Sequence, residues 1–283
     1  MHKHLTVIIA AILLISLGGA ALAKPASGKN KSSSEISDIL ANRKLDTAKR
    51  FVISNTLFTI YHEVGHLLIN KQQWPVLGRE EDIADNFATY ILLNQKRRSI
   101  ERALKDAALG WQLEDEAGGS RRTASDYYDE HSLDLQRAYQ IVCMMVGKDR
   151  RSFSVTALEW GIDRRRQAGC ADQYKQISSS IEKLISANRN KDTQPEVKVI
   201  YERAGTKYAI AYKTLRDSRL LESVAADLRT GYGLTGTIKI VASLCNQPNA
   251  FYDNETSQII ICYELLDEYF NTINRYLAST NGK

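Results

Sequence analysis

Histidine is scarce in this chain, with five in 283 residues, and only His62, His66 and His131 lie beyond the first four positions. Any histidine-based chemistry in the mature protein has to be built from those three. After residue 23 no apolar run is long enough to cross a bilayer, which excludes a multispanning membrane protein. Neither sign of charge dominates: 38 Lys and Arg stand against 33 Asp and Glu, a net charge of +5. The basic clusters Lys96-Arg97-Arg98 and Arg164-Arg165-Arg166 are short and fall near expected helix ends, where they act as solvated caps. No basic patch is interleaved with aromatics, so nothing points to nucleic acid, and attraction to an anionic envelope surface is weakly signalled. The four cysteines have neither zinc-ribbon nor CxxC spacing. No repeat period stands out.

What is present begins with an export signal at residues 1–23. Lys3 supplies the positive end, Leu5 to Leu17 the apolar stretch, and Ala21-Leu22-Ala23 a small-residue cleavage site. The alternative is an uncleaved anchor, since Leu5 to Ala23 approaches spanning length. Gly18 and Gly19 favour cleavage, after which the net charge becomes +4. Residues 24–37 are Ser- and Lys-rich and expected to be a flexible leader. An exported protein, periplasmic or extracellular, meets an oxidising compartment, which suits Cys143, Cys170, Cys245 and Cys262 as disulfides. Cys143–Cys170 and Cys245–Cys262 are the favoured pairs because each lies within one local unit.

The stretch with the most chemistry is His62-Glu63-Val64-Gly65-His66, an HExxH arrangement within a run expected to be helical over 46–70. Positions four apart share a helix face, so both imidazoles can reach one ion, and Glu63 sits beside them. A random chain of this length carries HExxH in roughly one case in two hundred, so context has to decide. The flanking residues, from Phe51 to Ile69, are apolar around most of the helix, which implies burial. Two histidines and a glutamate buried there are costly unless something binds them; the bland reading is a pair of core histidines bonded to carbonyls.

A zinc site of this kind wants a third protein ligand and an open fourth position. Pro75 ends the first helix, and a second opens with Glu80, Glu81 and Asp82, acids that suit any first turn. Glu81 and Asp85, at i and i+4, suit more than capping: Glu81 can bind zinc while Asp85 accepts the outer N–H of a ligand histidine. Glu80 and Asp82 are the alternatives. Glu81-Asp82-Ile83-Ala84-Asp85 resembles the ExxAD element that supplies the third ligand in glutamate-type zincins. The longer string from Pro75 to Ala88 resembles a bacterial family of metallopeptidases catalogued as a domain of unknown function. Similar stretches are Asp129 to Arg137, Asn249-Ala250-Phe251-Tyr252-Asp253, and Cys262-Tyr263-Glu264-Leu265-Leu266.

The rest of the pattern gives an α+β class, and the resemblance implies a zincin-like architecture. Residues 38–187 form a helical metal-binding lobe, with helices expected at 80–97, 99–116, 130–146, 153–161 and 169–187. The polar stretch 188–196 reads as a linker. Residues 197–283 follow as a βαβββα unit, with strands at 197–201, 237–244, 250–252 and 258–262 and helices at 217–230 and 264–277. That unit is expected to pack its sheet against the active-site helices and form the cleft wall, although an independent appended domain is the competing reading. The expected chemistry is hydrolysis of a peptide or protein substrate, with zinc on His62, His66 and Glu81 and with Glu63 as general base. Tyr127, Tyr128 and His131 are candidates to stabilise the oxyanion. The alternatives are an inactive zincin-like binding protein of the envelope and an exported interaction protein whose histidines merely pack. Substrate identity and oligomeric state are not legible.

Overall fold

The computed structural model describes residues 46–95, 97–119, 122–189 and 194–280. The expected signal peptide 1–23 and leader 24–37, with part of the 188–196 linker, lie outside them.

The first helix, α1 (Thr47–Gln72), is the axis of the molecule. Asp46 caps it by accepting the Lys49 amide at 2.8 Å. Gln73 ends it in the left-handed region at φ 53°, with the Gln73 and Trp74 amides both returning to the Ile69 carbonyl. Its apolar residues surround the rod, so almost every residue from Phe51 to Ile69 is buried. Such burial needs neighbours on all sides. They are α2 (Glu80–Asn94), α3 (Arg98–Gly118), a C-terminal helix and the edge of a sheet. A short α4 (Ala124–Tyr128) precedes α5 (Asp134–Lys148), α6 (Arg150–Glu159) and α7 (Arg164–Arg189), which complete the helical part.

The C-terminal part is β1 (Glu196–Tyr201), α8 (Ala209–Ser218), α9 (Leu220–Thr230), β2 (Thr237–Ser243), β3 (Ala250–Asp253), β4 (Gln258–Cys262) and α10 (Tyr263–Thr280). The strand order is β1-β2-β4-β3, with β1, β2 and β4 parallel and β3 antiparallel on the edge. The mixed α+β class is therefore as expected, and the sheet packs on α1. Side-chain contacts tie the two parts together, three of them through tyrosines on or beside α1. Tyr252 on β3 donates to Asn70 at 3.0 Å, Tyr269 on α10 meets the Thr59 hydroxyl at 2.9 Å, and Tyr61 donates to the buried Asp227 of α9.

Both favoured disulfides are present, Cys143–Cys170 joining α5 to α7 and Cys245–Cys262 fastening the segment after β2 to the end of β4. Three local expectations are corrected. The helix foreseen over 217–230 begins at Leu220 as α9, preceded by an unforeseen α8, the two separated where Arg219 turns left-handed at φ 55° and Ser218 Oγ accepts the Leu220 amide at 3.3 Å. The helix foreseen from residue 130 starts at Asp134, because the Asp129 carboxylate captures the His131 amide at 2.8 Å and holds that stretch as a loop. Finally, α4 went unforeseen; a capping box between Thr123 and Asp126 nucleates it. Among the described residues no helix is long and apolar enough to cross a membrane.

Candidate metal centre

His62 and His66 project from α1 toward the start of α2, and the two helices touch where Gly65 meets Ala84. A methyl group on Gly65 would sit 2.9 Å from the Ala84 Cα, closer than packed atoms tolerate. Two small residues at this crossing let Glu81 and Asp85 come within bonding distance of the histidines. Gly65→Ala is expected to push the helices apart and weaken metal binding at these residues by about tenfold or more, read by competition with a chromogenic chelator.

Around that crossing, three imidazoles face a single oxygen. Glu81 Oε2 lies 3.0 Å from His62 Nε2, 3.2 Å from His66 Nε2 and 3.0 Å from His131 Nε2. The His62 and His66 Nε2 atoms are themselves 3.1 Å apart. Each ring is gripped from behind by a different carboxylate: His62 Nδ1 by Asp85 at 2.7 Å, His66 Nδ1 by Glu80 at 2.8 Å, and His131 Nδ1 by Asp129 at 3.1 Å. A proton on Nδ1 of His62 and of His66 leaves their Nε2 atoms with lone pairs aimed inward. Two lone pairs and a carboxylate oxygen meeting in so small a space repel one another unless a cation, whether a proton or a metal ion, sits among them.

The electrostatics agree. Burial opposes charge on His62, yet Asp85, Glu81 and Glu63 outweigh it and push its pKa up to about 10. His66 is likewise raised, Glu81 overcoming the effect of burial. Burial works to raise Glu81, but the hydrogen bonds from His131, His62 and His66 hold it far below the ordinary carboxylate range. The pocket favours positive charge wherever it can be placed, and two or three imidazoles with one carboxylate are a donor set suited to zinc. The residues present therefore fit the ion.

The loop that carries His131 is itself tied to α2. Arg79 donates to the His131 carbonyl at 2.6 Å, and Ser132 donates to Asp82 at 2.7 Å. The two reserve acids are thereby accounted for: Glu80 holds His66 and Asp82 holds the loop. Tyr128 is brought no nearer. It is 77% exposed on α4 and does not line the cleft, and Tyr127 is exposed beside it.

Glu63, next to His62 on α1, is buried, and its carboxylate accepts the Tyr252 amide of β3. Burial raises its pKa, with His62 and His66 pulling the other way. A cavity of about 580 Å³ opens over the cluster, bounded by His62, Glu63, His66, Glu81 and His131 from the helical part and by β3 from the sheet.

One member of the site escaped the sequence reading. Arg137, on α5 and 7% exposed, forks onto Asp85 at 2.7 and 2.9 Å and stacks on Trp111 at 3.6 Å. Asp85 thus joins a buried guanidinium to His62. The only signal for it in the sequence was its place at the end of the Asp129 to Arg137 stretch.

A family model described as "Putative metallopeptidase" matches residues 27–185 and 201–281. No curated protein matches, and no solved structure does.

Proposed function

The chain belongs to this metallopeptidase family, DUF4344, and on that premise we propose that it hydrolyses peptide bonds with zinc held by His62, His66 and Glu81. The observation that carries the reading is the convergence of the imidazoles on Glu81 Oε2, each braced by a carboxylate on its Nδ1. Zinc bound there supplies Lewis acidity, lowering the pKa of water toward neutrality and polarising a carbonyl.

The chain's own groups do the rest. Glu63 takes a proton from the attacking water on a carboxylate oxygen and delivers it to the leaving amine. Its burial supports that role, because a carboxylate shielded from solvent is the stronger base. His131, protonated on both ring nitrogens, offers Nε2–H to the oxygen that becomes negative as the carbonyl is attacked, while Asp129 accepts from Nδ1 and fixes the ring. Asp85 and Glu80 orient the ligand histidines. The unit 197–283 serves as cleft wall through β3, whose backbone can pair with an extended peptide. The N-terminal signal and the two disulfides support an exported protein.

The test is cleavage of an unbiased peptide library by zinc-loaded protein. Hydrolysis that stops on chelation and returns with zinc is the expected result; protein that refolds in zinc yet binds no stoichiometric metal sinks the proposal. His131 has its own test, since its Nε2 also lies within ligating distance of the cluster. His131→Ala is expected to retain about one zinc per chain and lose about 10²- to 10³-fold in kcat, as for removal of one oxyanion donor. Loss of zinc instead makes His131 a ligand.

A further inference from the structure

A second cavity, of about 320 Å³, opens on the other side of Glu63. It shares His62, Glu63, His131, Asn249 and Ala250 with the first, so the two are halves of one cleft that meet at the base. A peptide whose scissile bond lies at Glu63 must put a neighbouring side chain into this half. The continuity with the metal centre makes it a subsite; its walls say for what.

The sleeve is apolar, built by Phe58, Trp111, Leu265 and Tyr269. Three further carboxylates line it, Glu114, Asp134 and Glu268. The one guanidinium in the lining, Arg137, is already committed to Asp85 and to the face of Trp111. Among the described residues, Glu268 meets the exposed Arg275 at 3.4 Å, and Glu114 accepts a 3.4 Å bond from Thr272 with Arg275 further off. Burial raises Glu114, and the neighbouring Glu268 raises it further; burial also raises Asp134, with Arg137 and Arg122 pulling the other way. These acids sit in a chain that carries more basic than acidic residues overall, so their grouping is local.

We infer that this half-cleft is a specificity pocket for a lysine or arginine side chain adjacent to the scissile bond. The inference rests on the proposed peptidase reading and names its substrate class: cationic peptides. The aliphatic stem of the substrate residue lies along Phe58, Leu265 and Tyr269, and its charged head reaches Glu114, Asp134 and Glu268. A neutral residue of equal length fills the same sleeve but leaves the carboxylates facing one another.

The experiment uses acetylated, amidated octapeptides of alanine and glycine with a single lysine, arginine, norleucine or glutamate placed at each position in turn. Binding is read by displacement of a fluorescent peptide from zinc-loaded Glu63→Gln protein, which removes turnover from the measurement. Lysine and arginine peptides are expected to bind about tenfold more tightly than norleucine at one position, with glutamate weakest. Combining Glu114→Gln with Glu268→Gln is expected to erase that preference while norleucine binding stays within about twofold. Glu268→Lys alone, at a half-buried position on the cavity wall, is expected to turn the preference toward glutamate. Equal or absent binding of all four peptides overturns the inference, as does a preference that survives both sets of substitutions. Cleavage by the unmodified protein separates the two claims: selective binding without any cleavage removes the hydrolytic reading and keeps the pocket. Cleavage indifferent to charge does the reverse.

Discussion

Glu63→Gln is expected to lower kcat for peptide hydrolysis by about 10²- to 10⁴-fold, the usual range for a lost general base. Zinc content is expected to stay at about one per chain, because no carboxylate oxygen of Glu63 lies among the ligand atoms that face Glu81. The substitution is nearly isosteric, and a glutamine oxygen can still accept the Tyr252 amide that Glu63 now accepts. Stability and cleft shape are therefore preserved, and what is lost is a site for a proton. Single-turnover hydrolysis and metal analysis on the same preparation check it. A glutamine variant within tenfold of the parent would show that water is activated without Glu63.

The second large effect belongs to Arg137. Removing its guanidinium in Arg137→Leu leaves Asp85 buried with His62 as its remaining partner, and a broken buried pair costs about 3–5 kcal/mol. For a chain of this size that corresponds to a fall of roughly 6–20 °C in Tm. Zinc affinity is expected to fall by about 10- to 100-fold as well, because Asp85 no longer holds the His62 ring in one orientation. Arg137→Lys keeps the charge but loses both the fork and the stacking on Trp111, so it is expected to recover part of the stability and little of the affinity. Changing both residues to leucine separates the two effects. An apolar pair of similar volume restores much of the stability, whereas zinc binding stays weak because His62 is left unbraced. Equal zinc affinity in parent and Arg137→Leu would reduce Arg137 to a packing residue.

How far the chain could be read from its letters depends on the range of the interaction concerned. The course of α1 and the placing of His62 and His66 on one face follow from helical periodicity, which is local. So does the position of Asp85 one turn beyond Glu81. The strands at 237–243 and 258–262 are visible because their β-branched residues cluster, and each disulfide closes a loop inside one unit. The embrace of Asp85 by Arg137 is different in kind. Its partners are 52 residues apart, and an arginine in an amphipathic helix ordinarily faces solvent. The pairing of His66 with Glu80 was hidden for another reason: a first-turn acid already has a sufficient explanation in the helix dipole. Tyr128 shows the opposite failure. Its proximity in sequence to His131 suggested a shared site, but α4 carries it to the surface. The break at Arg219 was invisible because a left-handed arginine has no compositional mark.

Chain order has one more effect. The strand whose amide meets Glu63 is encoded near the end of the polypeptide, whereas both ion-binding helices are encoded near its beginning. During synthesis, which proceeds from the N-terminus, the residues proposed to hold zinc are all made before β3 exists. On the proposed activity, a molecule without β3 lacks the groove wall that seats a peptide, so cleavage depends on the C-terminal unit being in place.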